Sequence, residues 1–82
     1  MQLSVEISKY PLNEEYIPII QNFIDRLNTH KGLTVITNTM STQVFGEYDL
    51  VLNAIQKEMK TSFSDEVKQV IVMKFINSDL RP

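Results

Sequence analysis

Asn38-Thr-Met-Ser-Thr-Gln-Val-Phe-Gly-Glu-Tyr-Asp49 contains a chain reversal, a short strand and a helix start with no spare residues between them. Leu33, Val35 and Ile36 arrive from one strand, a polar run over 38–41 turns the chain, and Val44 and Phe45 begin its return. Gly46 is expected to break the returning strand. Asp49 is expected to cap the helix behind it, since a side-chain oxygen at that place accepts a hydrogen bond from a first-turn N–H. The stretch thus predicts a hairpin over 33–37 and 42–47 that leads directly into a helix over 48–61.

Upstream, Leu3, Val5 and Ile7 alternate with Ser4, Glu6 and Ser8, the period of a strand with one apolar face. Tyr10-Pro11 is expected to lead the chain out of that strand, because proline cannot donate to a ladder. Asn13 is a candidate helix cap, and Tyr16, Ile17, Ile20, Phe23, Ile24 and Leu27 then form one helical stripe. Pro18 falls early enough in that helix for its missing N–H to be tolerable, and Gly32, after His30 and Lys31, marks its stop. Downstream, Leu50, Val51, Ala54, Ile55, Glu58 and Met59 share a helical face, with Lys57 and Lys60 toward the C-terminal end. A polar connection over 61–66 carries Phe63, and residues 67–77 form a last strand with apolar residues on both faces.

The order strand, helix, strand, strand, helix, strand predicts an α+β ferredoxin-like split βαβ sandwich: an antiparallel four-stranded sheet with both helices on one face. At 82 residues the chain is read as a single domain, 1–82, whose core is small and marginally stable. Leu3, Val5, Ile7, Val44, Ile71, Met73 and Phe75 are expected to face the helices. The open face then carries Ser4, Glu6, Ser8, Gln43, Phe45, Val70, Val72, Lys74 and Ile76. Apolar groups on that face are costly in a monomer, so a homodimer or homotetramer is expected.

Composition removes several function classes. The net charge is −2 and the eight basic residues are scattered, which argues against nucleic acid as a partner. The absence of cysteine excludes thiolate metal sites and cysteine nucleophiles. No apolar run spans a bilayer, and Glu6 and Lys9 interrupt the early apolar run that a signal peptide would need, so no membrane partner and a cytoplasmic location are expected. RNA recognition on this fold needs outward aromatics on the first and third strands, and only Phe45 fits. Acyl-phosphate hydrolysis needs a basic cradle after the first strand, where the chain has Tyr10, Pro11, Leu12 and Asn13. His30, the single histidine, is read as a solvated residue at a helix end, and Ser4, Ser8 and Ser41 have no histidine placed to activate them. No catalytic residue and no cofactor are therefore expected.

Two places carry a binding signal. Glu6 sits in mid-strand, either solvated and paired with Lys74 on a neighbouring strand or acting as a ligand acceptor. Met40 lies in a turn whose other residues, Asn38, Thr39 and Ser41, are ordinary turn formers. A thioether beside hydroxyl and amide groups is suited to covering a flat heterocycle.

The runs Ser4-Val-Glu-Ile-Ser-Lys-Tyr-Pro-Leu12 and Thr37-Asn-Thr-Met-Ser-Thr-Gln-Val-Phe-Gly-Glu-Tyr-Asp49, with the ending Lys74-Phe-Ile-Asn-Ser-Asp-Leu80, resemble the thiamine-binding, YkoF-related proteins over nearly the whole chain. The resemblance implies non-catalytic binding of thiamine or its hydroxymethylpyrimidine moiety, in salvage, transport or buffering. Some relatives carry two such domains in tandem, so a symmetric oligomer would supply here what the second domain supplies there. An aminopyrimidine offers an amine donor and ring-nitrogen acceptors that Glu6, Asn38, Ser41 and Thr42 can match, with Met40 or Phe45 on its face. A thiazolium cation would also favour Glu6 and a nearby ring. The candidate ligand-binding residues are Glu6, Ser8, Asn38, Met40, Ser41, Thr42 and Phe45. The alternatives are a small dimeric barrel enzyme acting on a ring substrate, with Glu6 as its acid or base, and a structural or regulatory interaction domain.

Overall fold

The computed structural model describes residues 1–65 and 67–82. Six elements follow in the expected order: β1 (Gln2–Pro11), α1 (Tyr16–Leu27), β2 (Thr34–Thr37), β3 (Thr42–Glu47), α2 (Tyr48–Ser64) and β4 (Gln69–Ile76). The strands form one antiparallel sheet in the order β2-β3-β1-β4, giving the ferredoxin-like fold. Among the described residues, no helix is long and apolar enough to cross a membrane.

Period-two alternation sets the register. Val5 lies opposite Val44 on one side and Phe75 on the other, and Val44 lies opposite Val35, so one apolar row crosses all four strands. Leu3, Val5, Ile7 and Val44 are buried against Phe23 and Leu27 of α1 and Val51 and Ile55 of α2. At roughly 1.5–3 kcal/mol for each fully buried large apolar side chain, this cluster is the main favourable term in folding. Tyr16 and Ile17 are exposed instead of joining the α1 stripe, as is Leu50 on α2. Phe75 points to the helix side yet is about half exposed, because it lies where the helices no longer cover the sheet.

Several local expectations change. β1 continues through Pro11, which pairs with Gln69. The Leu12 N–H donates toward β4, to the Lys68 carbonyl at 2.8 Å, so the Pro11 nitrogen faces the other side, where β3 has already ended its pairing at Thr42. No ladder bond is lost there. Asn13 is not the cap of α1: its Oδ1 accepts from the N–H of Glu15, the residue just before the helix. The helix ends at Leu27, well before Gly32, whose φ of 85° serves the tight turn into β2. Glu47 rather than Asp49 caps α2, accepting from the Asp49 and Leu50 N–H groups at 3.0 and 3.2 Å. Phe63 belongs to the last turn of α2, and Glu66, read as the end of a polar connection, lies outside the described residues.

The C-terminal tail corrects the expected open face. Ser4 Oγ donates to the Ser78 carbonyl at 2.6 Å and accepts from the Leu80 N–H at 2.9 Å, while Arg81 reaches Thr34 and Gln2. The tail thereby lies over β1, and both Ser4 and Phe45 are buried. Val70, Val72 and Ile76 remain about half exposed.

Gly46 does not break β3. It pairs with Leu3 inside the strand, and a Cβ there would stand 3.0 Å from Leu33 Cδ2, 3.1 Å from the Gly32 carbonyl oxygen and 3.2 Å from Val51 Cγ2. A backbone oxygen cannot swing aside as a side chain can. Gly46→Ala is therefore expected to destabilise the fold by about 1–3 kcal/mol, the usual cost of overpacking. Urea unfolding checks this, and an unchanged midpoint would contradict it.

Candidate functional site

The turn between β2 and β3 roofs a small hollow of about 110 Å³, walled by β1 and by Ile20, Phe23 and Ile24 of α1. Its shape is fixed by Asn38, whose Oδ1 accepts from the Met40 and Ser41 N–H groups at 3.0 and 2.9 Å while its own N–H donates to the Ser41 carbonyl. This is the Asx geometry that makes asparagine a turn former. Thr42 begins β3 on the helix side, is buried, and sits with its hydroxyl 3.4 Å from that of Thr37. Met40 is 84% exposed at the tip of the turn. Ser8, Asn38, Met40, Ser41 and Thr42 all line this hollow.

Glu6 and Phe45 do not. They line a shallower hollow of about 500 Å³ on the opposite face, with Gln43, Lys74, Ile76 and Leu80 of the tail. Glu6 meets Lys74 across the β1–β4 ladder at 3.6 Å, and its other oxygen accepts from Ser41 Oγ at 3.3 Å. Ser41 is the one residue that lines the small hollow and also bonds to a group on the open face. The sheet thus divides the candidate residues between two hollows; Ser8, of the open-face row of β1, also lines the small one, and among the described residues Ser41 bonds across to Glu6.

A third constellation joins the helices. Glu58, 3% exposed, occupies the apolar register of α2 and receives Arg26 Nε at 3.0 Å and His30 Nε2 at 2.6 Å. A carboxylate only accepts, so His30 carries its proton on Nε2. His30 is therefore bound to a buried acid rather than solvated. Arg26 Nη2 and Lys9 Nζ both donate to Ser62 Oγ, at 2.7 and 2.8 Å, and Lys9 Nζ stands 4.5 Å from the centroid of the Phe23 ring. Gln69 donates to the Ser62 carbonyl, and its own Oε1 is buried without a partner among the described residues. The signal for this network was a charged residue in the apolar register of the second helix, which requires a partner once buried. Among the described residues, no group of three acidic or histidine side chains is placed to hold a metal ion.

Two of these groups titrate abnormally. Burial pushes the Glu58 carboxyl up, but the hydrogen bonds and charges of His30 and Arg26 outweigh it and leave the group below the usual carboxylate range. Desolvation and then the Arg26 charge, opposed by Asp65, bring Lys9 down to about 8. Lys9 is thus protonated in the unfolded chain but not in the folded one between about pH 8 and 10.5, and its contribution to stability rises with pH across that window.

No family model matches the chain, and no curated protein is significantly similar to it. Solved structures are. A hypothetical protein of Methanocaldococcus jannascii is 23% identical, with a TM-score of 0.80 over 99% of this chain and 84% of that one. A protein of Streptococcus pneumoniae is 19% identical, with a TM-score of 0.84 over 98% of this chain and 90% of that one. A Thermotoga maritima protein assigned provisionally to thiamine biosynthesis or salvage is 14% identical, with a TM-score of 0.73 over 99% of this chain and 90% of that one. At these identities the likeness establishes the ferredoxin-like fold.

The depressed Glu58 carboxyl has a direct consequence for acid stability. Its stabilisation is full above the ordinary carboxylate range and is lost as the pH falls through its lowered folded value. Glu58→Gln is expected to cost about 1.5–3 kcal/mol at neutral pH, the worth of a hydrogen bond to a charged group, and much less in acid. Denaturant melts at pH 7 and pH 3 check this, and an equal loss at both would refute the assignment.

Proposed function

We propose that the protein is a non-catalytic binder of a small flat heterocycle, of the class of the hydroxymethylpyrimidine part of thiamine, held beneath the Asn38–Ser41 turn. The carrying observation is that five of the seven residues singled out from the sequence line one hollow. At about 110 Å³ it is well below the roughly 300–1,000 Å³ of sites for drug-sized ligands, so it suits a single substituted ring. The Thr42 hydroxyl supplies an orienting polar group, and Met40, at the tip of the turn, covers the ring. The Thermotoga maritima neighbour, provisionally a thiamine biosynthesis or salvage protein, supports the reading at the level of the fold.

The neutral pyrimidine fragment fits this hollow better than whole thiamine, because Lys9 on its wall repels a thiazolium cation and Glu6 lies on the far side of Ser41. Calorimetric titration with the fragment, thiamine and an unrelated heterocycle tests the reading. The fragment is expected to bind, and Thr42→Val to weaken it about five- to a hundredfold, the cost of about 1–3 kcal/mol for one lost hydrogen-bond partner. Glu6→Gln is expected to leave the affinity of the fragment unchanged. Absence of heat from both thiamine ligands would overturn the proposal.

We infer that copies of the chain associate through the open face into a homodimer or homotetramer. Tyr10, Val70, Val72 and Ile76 all stand on that face about half exposed, with Tyr10 opposite Val70 and Ser8 opposite Val72 in register. An apolar row of that kind is expected to be covered. Val72→Asp is expected to weaken assembly by several kcal/mol, and Gln56→Asp on the surface of α2 hardly at all. Equal dissociation of the two variants in sedimentation equilibrium would refute the interface.

A further inference from the structure

We propose that Lys9 is a carbonyl-reactive amine: held between Phe23 and Ser62 at the wall of the small hollow, it captures an aldehyde carried on a flat ring as an imine. This goes beyond the heterocycle reading and does not depend on it, since hydroxymethylpyrimidine has no carbonyl group.

The geometry is that of a lysine kept short of its usual hydration. Its alkyl chain leaves β1 on the helix side, and its Nζ donates to a hydroxyl that is only 1% exposed, over the face of a ring that is 2% exposed. The same hydroxyl also accepts from Arg26, so two cations converge on one neutral oxygen. Among the described residues, no carboxylate lies within ion-pair distance of Lys9, because Glu58 is taken by Arg26 and His30. Among the described residues, the charged groups that bear on the amine are Arg26 from α1, which opposes protonation, and Asp65 just past α2, which favours it; the Phe23 face favours the cation as well. Desolvation and Arg26 prevail, and the amine titrates at about 8. A lysine desolvated next to another cation is the arrangement that turns an ammonium group into a nucleophile at neutral pH.

The surroundings suit a ring aldehyde. Lys9 and Phe23 line the same hollow, whose walls include Ile7, Ile20, Ile24 and the hydroxyls of the β2–β3 turn, so a planar ring seated there meets apolar side chains next to Lys9. In the capture step the neutral Nζ lone pair forms a bond to the carbonyl carbon and the C=O π pair moves to oxygen. A proton passes from nitrogen to that oxygen, giving a carbinolamine. Loss of water then leaves the C=N bond. Amine plus aldehyde gives imine plus water, with no oxidant or reductant.

The test uses the unaltered protein with pyridine-4-carbaldehyde as probe and cyanoborohydride to fix any imine as a secondary amine, read residue by residue from peptide masses. Lys31, Lys57, Lys60, Lys68 and Lys74 serve as internal references. At pH 7.5, an amine titrating near 8 is about one quarter neutral, whereas an ordinary lysine is about one thousandth neutral. Lys9 is therefore expected to be labelled at least about tenfold faster than the references even after its lower intrinsic basicity is allowed for. Its rate should level off above pH 8 while theirs continue to climb. Lys9→Met should remove the fast labelling at position 9 and leave the slow labelling of the five reference lysines intact. Labelling of Lys9 at or below the rate of the five references, or a Lys9 rate still rising beyond pH 10, would overturn the proposal, and both are read on the unaltered chain whether or not the variant folds.

Discussion

The position of β1 between β3 and β4 is the constraint on which the rest of the molecule depends. Over Ser4 to Ile7 it is paired on both sides, so alternate residues have no choice of face except core or open sheet. A slip of one residue would turn Leu3, Val5 and Ile7 out to solvent and bring Ser4, Glu6 and Ser8 under the helices. The alternation thus selects a single register, and the neighbouring strands inherit it. The helices, the roofed hollow and the tail then take positions relative to a sheet that is already fixed.

The helices are held to each other by different chemistry. An apolar stripe tolerates sliding along the helix axis, whereas Glu58 satisfied by Arg26 and His30 accepts only one alignment of α1 against α2. A buried ion pair is a weak source of net stability, because desolvation offsets most of its attraction. Its value here lies in specifying alignment. The same network explains Lys9: Arg26, held by Glu58, fixes a positive charge beside the amine.

The fold was legible because its signals are redundant. Alternation in β1, the turn chemistry at 38–41 and two amphipathic stripes agree on one topology, and every strand face predicted from parity is found. Boundaries were less legible. Aspartate is a favoured cap and glutamate is not, so the sequence points to Asp49, and only the backbone turn shows that Glu47 lies outside the helix with its carboxylate directed back at the first N–H groups. Gly46 looks like a breaker until Gly32, Leu33 and Val51 are seen to leave no room for a Cβ there. The burial of Phe45 was not legible at all, since it depends on a tail held to β1 by the Ser4 hydroxyl and by Arg81 on Gln2.

The candidate site shows how far adjacency in sequence can mislead. Ser41 and Thr42 are neighbours, yet the strand that starts between them sends Thr42 under α1 while the Ser41 hydroxyl reaches Glu6 on the far face. A group of seven residues that look contiguous in type and purpose is therefore cut by the sheet. A ligand that used all seven would have to pass around the end of β1 at the Ser41 hydroxyl. That path is narrow, because Ser41 is held by Asn38 through its N–H and by Glu6 through its side chain. Ser41 is thus better placed to transmit a change in Glu6 or Lys74 to the shape of the turn than to let a ligand through. Occupancy of the hollow and events on the open face would then be coupled through a single hydroxyl.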